Sequence, residues 1–322
     1  MLATRFRRTG QSLWLPTMTD LRARAKNGFR DHRLYSAERQ RRFSRSGLAE
    51  TARNMAIALG RSTLFGHRLQ FEYRGFVIPC DLSEMTGGGS ETWDATSNAH
   101  LEYYRRWTPI APDASILEIG CGIGRDAIVL SELLSSAGSY VGLDVTKPSI
   151  EWCQAHITSR FPNIRFVHLD VQSDMYNPGG RYAAAGVRLP AESNAFDLVV
   201  LHSVFTHMFA PGVEHYLNEI HRCLRPRGLV MASFFVVDDP SVENAQRVGG
   251  ALTFQYGHQG CDRINDMQHP EAAVGYGSET IKRMITNAGL QIEAIHPGFW
   301  SGLQQDVPNG QDVVILRKGP TP

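Results

Sequence analysis

The residues best suited to chemistry begin in one run of ten, Ile116 to Arg125, ILEIGCGIGR. Glu118 stands ahead of three glycines at alternate positions, Gly120, Gly122 and Gly124. Glycine lacks a side chain and tolerates positive φ, so such a turn lets backbone approach a ligand closely. The N–H groups at the start of a following helix are expected to face that ligand. Asp144 lies 24 residues beyond Gly120, a spacing at which a carboxylate can accept hydrogen bonds from a ribose diol. Asp170 closes a further apolar run, and Val171 follows it. Two histidines, His202 and His207, sit in HSVFTHM; imidazole titrates near neutrality and can take a proton from a hydroxyl nucleophile.

Elements must hold these groups together. From residue 113 the pattern alternates. Strands are expected at Ile116–Ile119, Tyr140–Leu143, Ile164–Leu169, Phe196–Leu201 and Leu229–Phe235. Helices are expected at Asp126–Leu134, from about Pro148, and at Val213–Leu224, where Val213, Tyr216, Leu217, Ile220 and Leu224 share one face. A helix over Ser278–Ala288 and strands Leu290–His296 and Val313–Arg317 complete the series. Alternating strands and helices predict an α/β fold: a Rossmann-like, doubly wound, seven-stranded sheet, mostly parallel. The last strand, reached without a long helix, should be antiparallel. In such a sheet ligands lie beyond the carboxyl ends of the strands. That is where Glu118, Asp144, Asp170 and both histidines fall.

Two details narrow the ligand. The third glycine of G-x-G-x-x-G, which allows close helix–strand packing under a pyrophosphate, is missing; Arg125 follows G-x-G-x-G instead. An acid at Glu118 suits a neighbouring ammonium or sulfonium better than a pyrophosphate. A ligand with ribose, adenine and a cationic amino-acid portion fits both.

ILEIGCGIGR, GLD at 142–144, LDV at 169–171 and FDLVVLHSVFTHM at 196–208 together resemble the class I S-adenosylmethionine-dependent methyltransferases. LRPRGLV at 224–230 resembles the turn before that family's fifth strand, with Arg227 where glycine is usual. The likeness covers about residues 113–318 and implies S-adenosyl-L-methionine as cofactor. On it, Gly120, Gly122 and Gly124 line the methionine portion, Glu118 orients it, Asp144 takes the ribose hydroxyls, and Asp170 takes the adenine amino group beside Val171. It also implies His207 as the base, with His202 second. HPEAAVGY, GFWSG and QDVVILRK near the end resemble a bacterial subgroup associated with sugar and cell-surface polysaccharide pathways. O-methylation of a sugar, glycolipid or other small-molecule hydroxyl is the expected reaction, with Tyr276 and Trp300 as substrate walls.

No N/D-P-P-Y or Pro-Cys follows the fourth strand, and no acid pair for magnesium stands there. Base methylation is therefore unsupported, and no metal ligand is expected. The five cysteines are odd in number and scattered, without C-x-x-C, which favours a reducing compartment. With 42% hydrophobic residues and 9% aromatics the chain can bury a sizeable core. Its net charge of +1 hides 14 Lys/Arg against 4 Asp/Glu in residues 1–62.

Residues 1–65 read as a basic extension, partly helical or disordered, and residues 66–112 as a lead-in that covers the site, with a helix at Ala99–Trp107. Residues 113–318 read as the main domain, carrying an irregular 236–277 insertion as lid. The expected protein is cytoplasmic, with peripheral contact to an anionic membrane through residues 1–62 compatible with their charge. Nucleic acid is not the favoured partner, and the sequence says nothing of oligomeric state. The same residues leave two other readings open: an RNA or protein methyltransferase docked through the basic front, and a cofactor-binding scaffold without catalysis.

Overall fold

The computed structural model describes residues 70–87 and 89–319; the basic extension expected over 1–65 lies outside them. A seven-stranded sheet forms the centre. Its strands are β1 (Ser115–Ile119), β2 (Ser139–Asp144), β3 (Ile164–His168), β4 (Phe196–Leu201), β5 (Leu224–Phe234), β6 (Leu290–His296) and β7 (Asp312–Lys318). Across the sheet they run β6-β7-β5-β4-β1-β2-β3. The first five pair in parallel, while β7 is antiparallel to both β5 and β6. This is the expected α/β doubly wound architecture.

Both faces are covered, so the central strands β1, β2 and β4 are buried along most of their length. Side chains alternate between faces. Leu117 and Val199 join one core with Leu217, Ile220 and Ile285. Their neighbours Ile116 and Leu198 join the other with Ile128, Trp152 and Trp93. β5 begins immediately after helix Ala210–Cys223. The expected turn at 225–228 therefore lies inside the strand, as an irregularity where pairing with β4 shifts register. Arg227 adopts φ 67° there.

β7 ends in a buried anchor. The Lys318 Nζ donates to Asn194 Oδ1 (2.8 Å), His221 O (2.7 Å) and Leu224 O (2.8 Å), which uses all three of its N–H groups.

The lead-in is more ordered than its composition implied. Gln70–Tyr73 and Phe76–Pro79 form an antiparallel hairpin turned by Arg74 and Gly75, both at positive φ. The helix expected at 99–107 runs from Ser90 to Arg106. It buries Trp93, Ser97, His100 and Tyr104, a three- and four-residue spacing that makes one helical stripe.

The 236–277 stretch, expected to be irregular, is a small folded layer that gives Glu271 and Ala272 to the lining of a large cavity. It contains a helix (Asp239–Arg247) and a three-stranded antiparallel sheet (Tyr256–His258, Cys261–Ile264, Val274–Gly275). Its own core joins Val237, Val242, Ala245, Leu252 and Phe254 to Phe235 and Trp300. Among the described residues no helix is long and apolar enough to cross a membrane.

Candidate active site

β1 is flanked by β2 on one side and β4 on the other, so strand order reverses between β1 and β4. The crevice at that reversal is the general ligand position of open α/β sheets. Here it is a cavity of about 1030 Å³, at the upper end of small-molecule sites. The glycine turn after β1 and the histidine loop after β4 both line it.

The turn is tightly held. Gly120 has φ 81° and Gly122 φ 53°. A Cβ on Gly120 would come within 2.4 Å of Val204 Cγ2, and one on Gly122 within 2.4 Å of Thr86 Cγ2. Gly124 has φ 74°. The N–H groups of the turn itself, ahead of the helix, are spent within the protein. Gly120 and Cys121 donate to Leu143 O (2.7 and 3.1 Å), Gly122 to Asp144 Oδ2 (2.7 Å), and Ile123 to the Thr86 hydroxyl (3.0 Å). A turn whose donors are spent on the protein offers no nest for a pyrophosphate. It leaves recognition to side chains.

Those side chains are charged and buried. Glu118 accepts the Tyr140 hydroxyl; burial and the nearby Asp126 push its carboxyl well above the usual range, against the pull of Tyr140 and Arg125. Asp144 also accepts Thr146 N (2.7 Å). Burial raises its carboxyl, and the Thr146 and Gly122 amides partly offset this. Each of its oxygens keeps a second lone pair for a ligand hydroxyl. Val171 lines the cavity, whereas Asp170 lines an adjoining hollow of about 480 Å³, where it pairs with Arg181 at 3.7 Å. Met85, Val145, Thr146 and Tyr176 line both spaces.

A second cluster was not singled out in the sequence. Asp126 accepts His100 Nδ1 (2.8 Å) and the Tyr104 hydroxyl, and lies 3.4 Å from His202 Nε2. The His100 and His202 rings stack at 3.9 Å. Burial alone would raise Asp126, but the facing imidazoles and Arg125 hold it below the usual carboxylate range. Burial and the neighbouring His100 push His202 down to about 3. His100, Asp126 and His202 offer ligand atoms within 4.8 Å of one another, a set that could hold a metal ion. As placed, the Asp126 carboxylate is already engaged by two donors. Arg125 adjoins it, buried over the Trp93 ring at 5.4 Å. Among the described residues its Nε and Nη1 have no hydrogen-bond partner, and it lines the cavity. The available signal was the 100/104 spacing on one helix stripe beside the RD pair that ends the glycine turn.

At the other end of the cavity, half-buried His207 places Nδ1 2.8 Å from the Glu271 carbonyl oxygen. A carbonyl only accepts, so the proton sits on Nδ1 and Nε2 carries the lone pair. Burial lowers this imidazole's pKa, partly offset by the hydrogen bond to the Glu271 carbonyl. Ser203, between the two histidines, holds φ 59°; its N–H donates to Ser233 Oγ (2.7 Å) and Gln311 Nε2 donates to its hydroxyl.

Tyr276 and Trp300 are not substrate walls. Neither lines the cavity. Tyr276 is fully buried and donates to Met208 O (2.7 Å). Trp300 packs edge-on against Phe235 and Phe254 and donates Nε1 to Asp312 (2.7 Å). Their polar tips are spent on structure, as buried Tyr and Trp require.

Residues 116–228 match the family model described as a methyltransferase domain. The arsenite methyltransferase of Rattus norvegicus is 29% identical over 152 residues, covering 42% of this chain and 37% of that protein. That of Aquipseudomonas alcaligenes is 26% identical over 230 residues, covering 66% and 59%. The demethylmenaquinone methyltransferase of Staphylococcus epidermidis is 30% identical over 150 residues, covering 44% and 55%. The chain thus spans less than two thirds of each of these relatives.

Proposed function

We propose that the chain, whose residues 116–228 match the methyltransferase-domain model, uses S-adenosyl-L-methionine to methylate a small-molecule hydroxyl with His207 as general base. The observation that carries this reading is the His207 tautomer: Nδ1 donates to Glu271 O, so Nε2 is an acceptor at the cavity.

The residues fit the cofactor. Asp144 has lone pairs for a ribose diol, and Glu118 is an acid for an ammonium. Arg125 is a buried cation with unpaired N–H groups, suited to the carboxylate of an amino-acid portion. When bound, the cofactor supplies a methyl group already made electrophilic by its sulfonium.

The protein then has two tasks. It must hold the acceptor in line with the methyl group, where positioning contributes most of the rate, and it must take the hydroxyl proton. His207 Nε2 would accept that proton as the hydroxyl oxygen takes up the methyl group that the cofactor would supply. Nδ1–H, tied to a backbone carbonyl, stabilises the imidazolium that results.

The names of the arsenite methyltransferases raise another acceptor. Trivalent arsenic is thiophilic and calls for converging thiolates. Among the described residues the cavity is lined by one thiol, Cys121, which burial pushes well above its usual pKa. A hydroxyl acceptor suits the lining better.

Titration calorimetry should show S-adenosylmethionine binding. Asp144→Ala should weaken it by roughly 10- to 100-fold, the loss of two charge-assisted hydrogen bonds. His207→Gln should leave that affinity within about twofold and lower kcat by roughly 10²- to 10⁴-fold. Binding of NAD(H) in place of S-adenosylmethionine would overturn the cofactor; an undiminished kcat in His207→Gln would overturn the base.

A further inference from the structure

The two ends of the cavity differ in chemistry. The glycine end holds Glu118, Arg125, Asp126 and Asp144. The His207 end is formed where the start of helix Ala210–Cys223 meets the loop at 183–185, and it is lined by Tyr176, Ala184, Met208, Phe209, Gly212 and Ala272. It is built as an apolar wall. Gly212 lacks the Cβ that would stand 2.9 Å from Met208 Cε and 3.4 Å from Ala184 Cβ. Phe209 is fixed by stacking on His258 at 4.7 Å. The apolar surface reaches the mouth, where Met175 is 41% exposed.

Charge points the same way. Among the described residues, six carboxylates line the cavity (Glu84, Glu118, Asp126, Asp144, Asp174 and Glu271), against one guanidinium, that of Arg125 at the glycine end. Among the described lining residues no lysine or arginine stands at the His207 end. Besides His207 itself, Tyr176, whose ring lies 6.1 Å from His207, and His258, stacked on Phe209, adjoin that end, and Asp174 and Glu271 line the cavity joined by a hydrogen bond from Asp174 N to Glu271 Oε2. A phosphate or nucleotide brought there would meet acid with no Lys or Arg countercharge among the described lining residues, and desolvating it would be costly.

We infer that the His207 end is an acceptor lobe for an uncharged molecule with an apolar aryl or alkyl body and a terminal hydroxyl, and that it rejects phosphorylated sugars and nucleotides. The body lies against Ala184, Met208 and Phe209, and the hydroxyl reaches His207 Nε2. The chemical step rests on the methyltransferase reading; the lobe itself does not.

Binding of 2-naphthol, glucose and glucose 1-phosphate to the full chain, measured calorimetrically with and without S-adenosylmethionine, tests it. Saturable binding of 2-naphthol at least tenfold tighter than either sugar is expected. Ala184→Phe, which fills the lobe, should weaken naphthol at least tenfold and leave cofactor affinity within twofold. Met175→Glu, at the exposed mouth, should weaken naphthol without touching the core, so one variant remains informative if the other fails to fold. Tighter binding of glucose or glucose 1-phosphate, or naphthol affinity unmoved by both variants, would overturn the lobe. Loss of S-adenosylmethionine binding by the wild type would instead overturn the methyltransferase reading, with naphthol still judging the lobe.

Discussion

Glu118 shows what a single buried acid can report. Burial and Asp126 raise its carboxyl well above the usual range, so it holds its proton to higher pH than an exposed carboxyl does. A cation arriving beside it favours the charged form and lowers that pKa, and the sign is therefore proton release on binding. Calorimetry at pH 5.5 in two buffers of different ionisation enthalpy should give different apparent enthalpies for S-adenosylmethionine. The difference should vanish in Glu118→Gln. Equal enthalpies in the wild type would remove Glu118 from the ammonium site. At this scale Glu118, Asp144 and Val171, expected from the sequence to bind cofactor, and His207, expected as the base, all line the cavity. It misassigned Tyr276 and Trp300, because aromatic residues near a site and aromatic residues of a core look the same until their polar tips are followed. It missed His100 and Asp126 because they meet across 26 positions, through a helix whose start was hidden in a glycine-rich stretch.

Among the elements, β5 carries a conformational cost at Arg227. Its φ of 67° lies in the left-handed region, which costs a residue with a Cβ roughly 1–2 kcal/mol. The side chain is exposed, and the backbone carbonyl, not the guanidinium, accepts Arg317 Nη1 (2.9 Å). Arg227→Gly should stabilise the protein by about 0.5–1 kcal/mol once glycine's extra unfolded-state entropy is deducted. Melting should move up by a degree or more; an unchanged or lower Tm would contradict the strain. The central strands were legible because burial on both faces makes them continuous apolar runs bounded by glycine or acid. The 236–277 layer was not. Its strands are two to four residues long, too short for period-two patterning. Its core also depends on Phe235 and Trp300 from outside the segment.

For the molecule as a whole, the stacked histidines tie the site to acid stability. His202 is held neutral down to about 3, while in the unfolded chain it takes its proton near 6.5. The unfolded state therefore binds more protons across that window, and stability falls as pH drops from 6.5 toward 3. The slope from this group is at most about 1.4 kcal/mol per pH unit. His202→Gln should flatten the pH dependence of the urea midpoint between pH 6.5 and 5, and parallel profiles would show that the group is not buried neutral. The anchor at the end of β7 has a practical corollary. The chain has four lysines; Lys147 and Lys282 are exposed, while the amine of Lys318 is wrapped by three oxygens and depressed by desolvation. An amine-acylating reagent should tag Lys147 and Lys282 in the native protein and reach Lys318 only once β7 has pulled away. The extent of acylation at that one lysine thus becomes a built-in gauge of whether the sheet is intact.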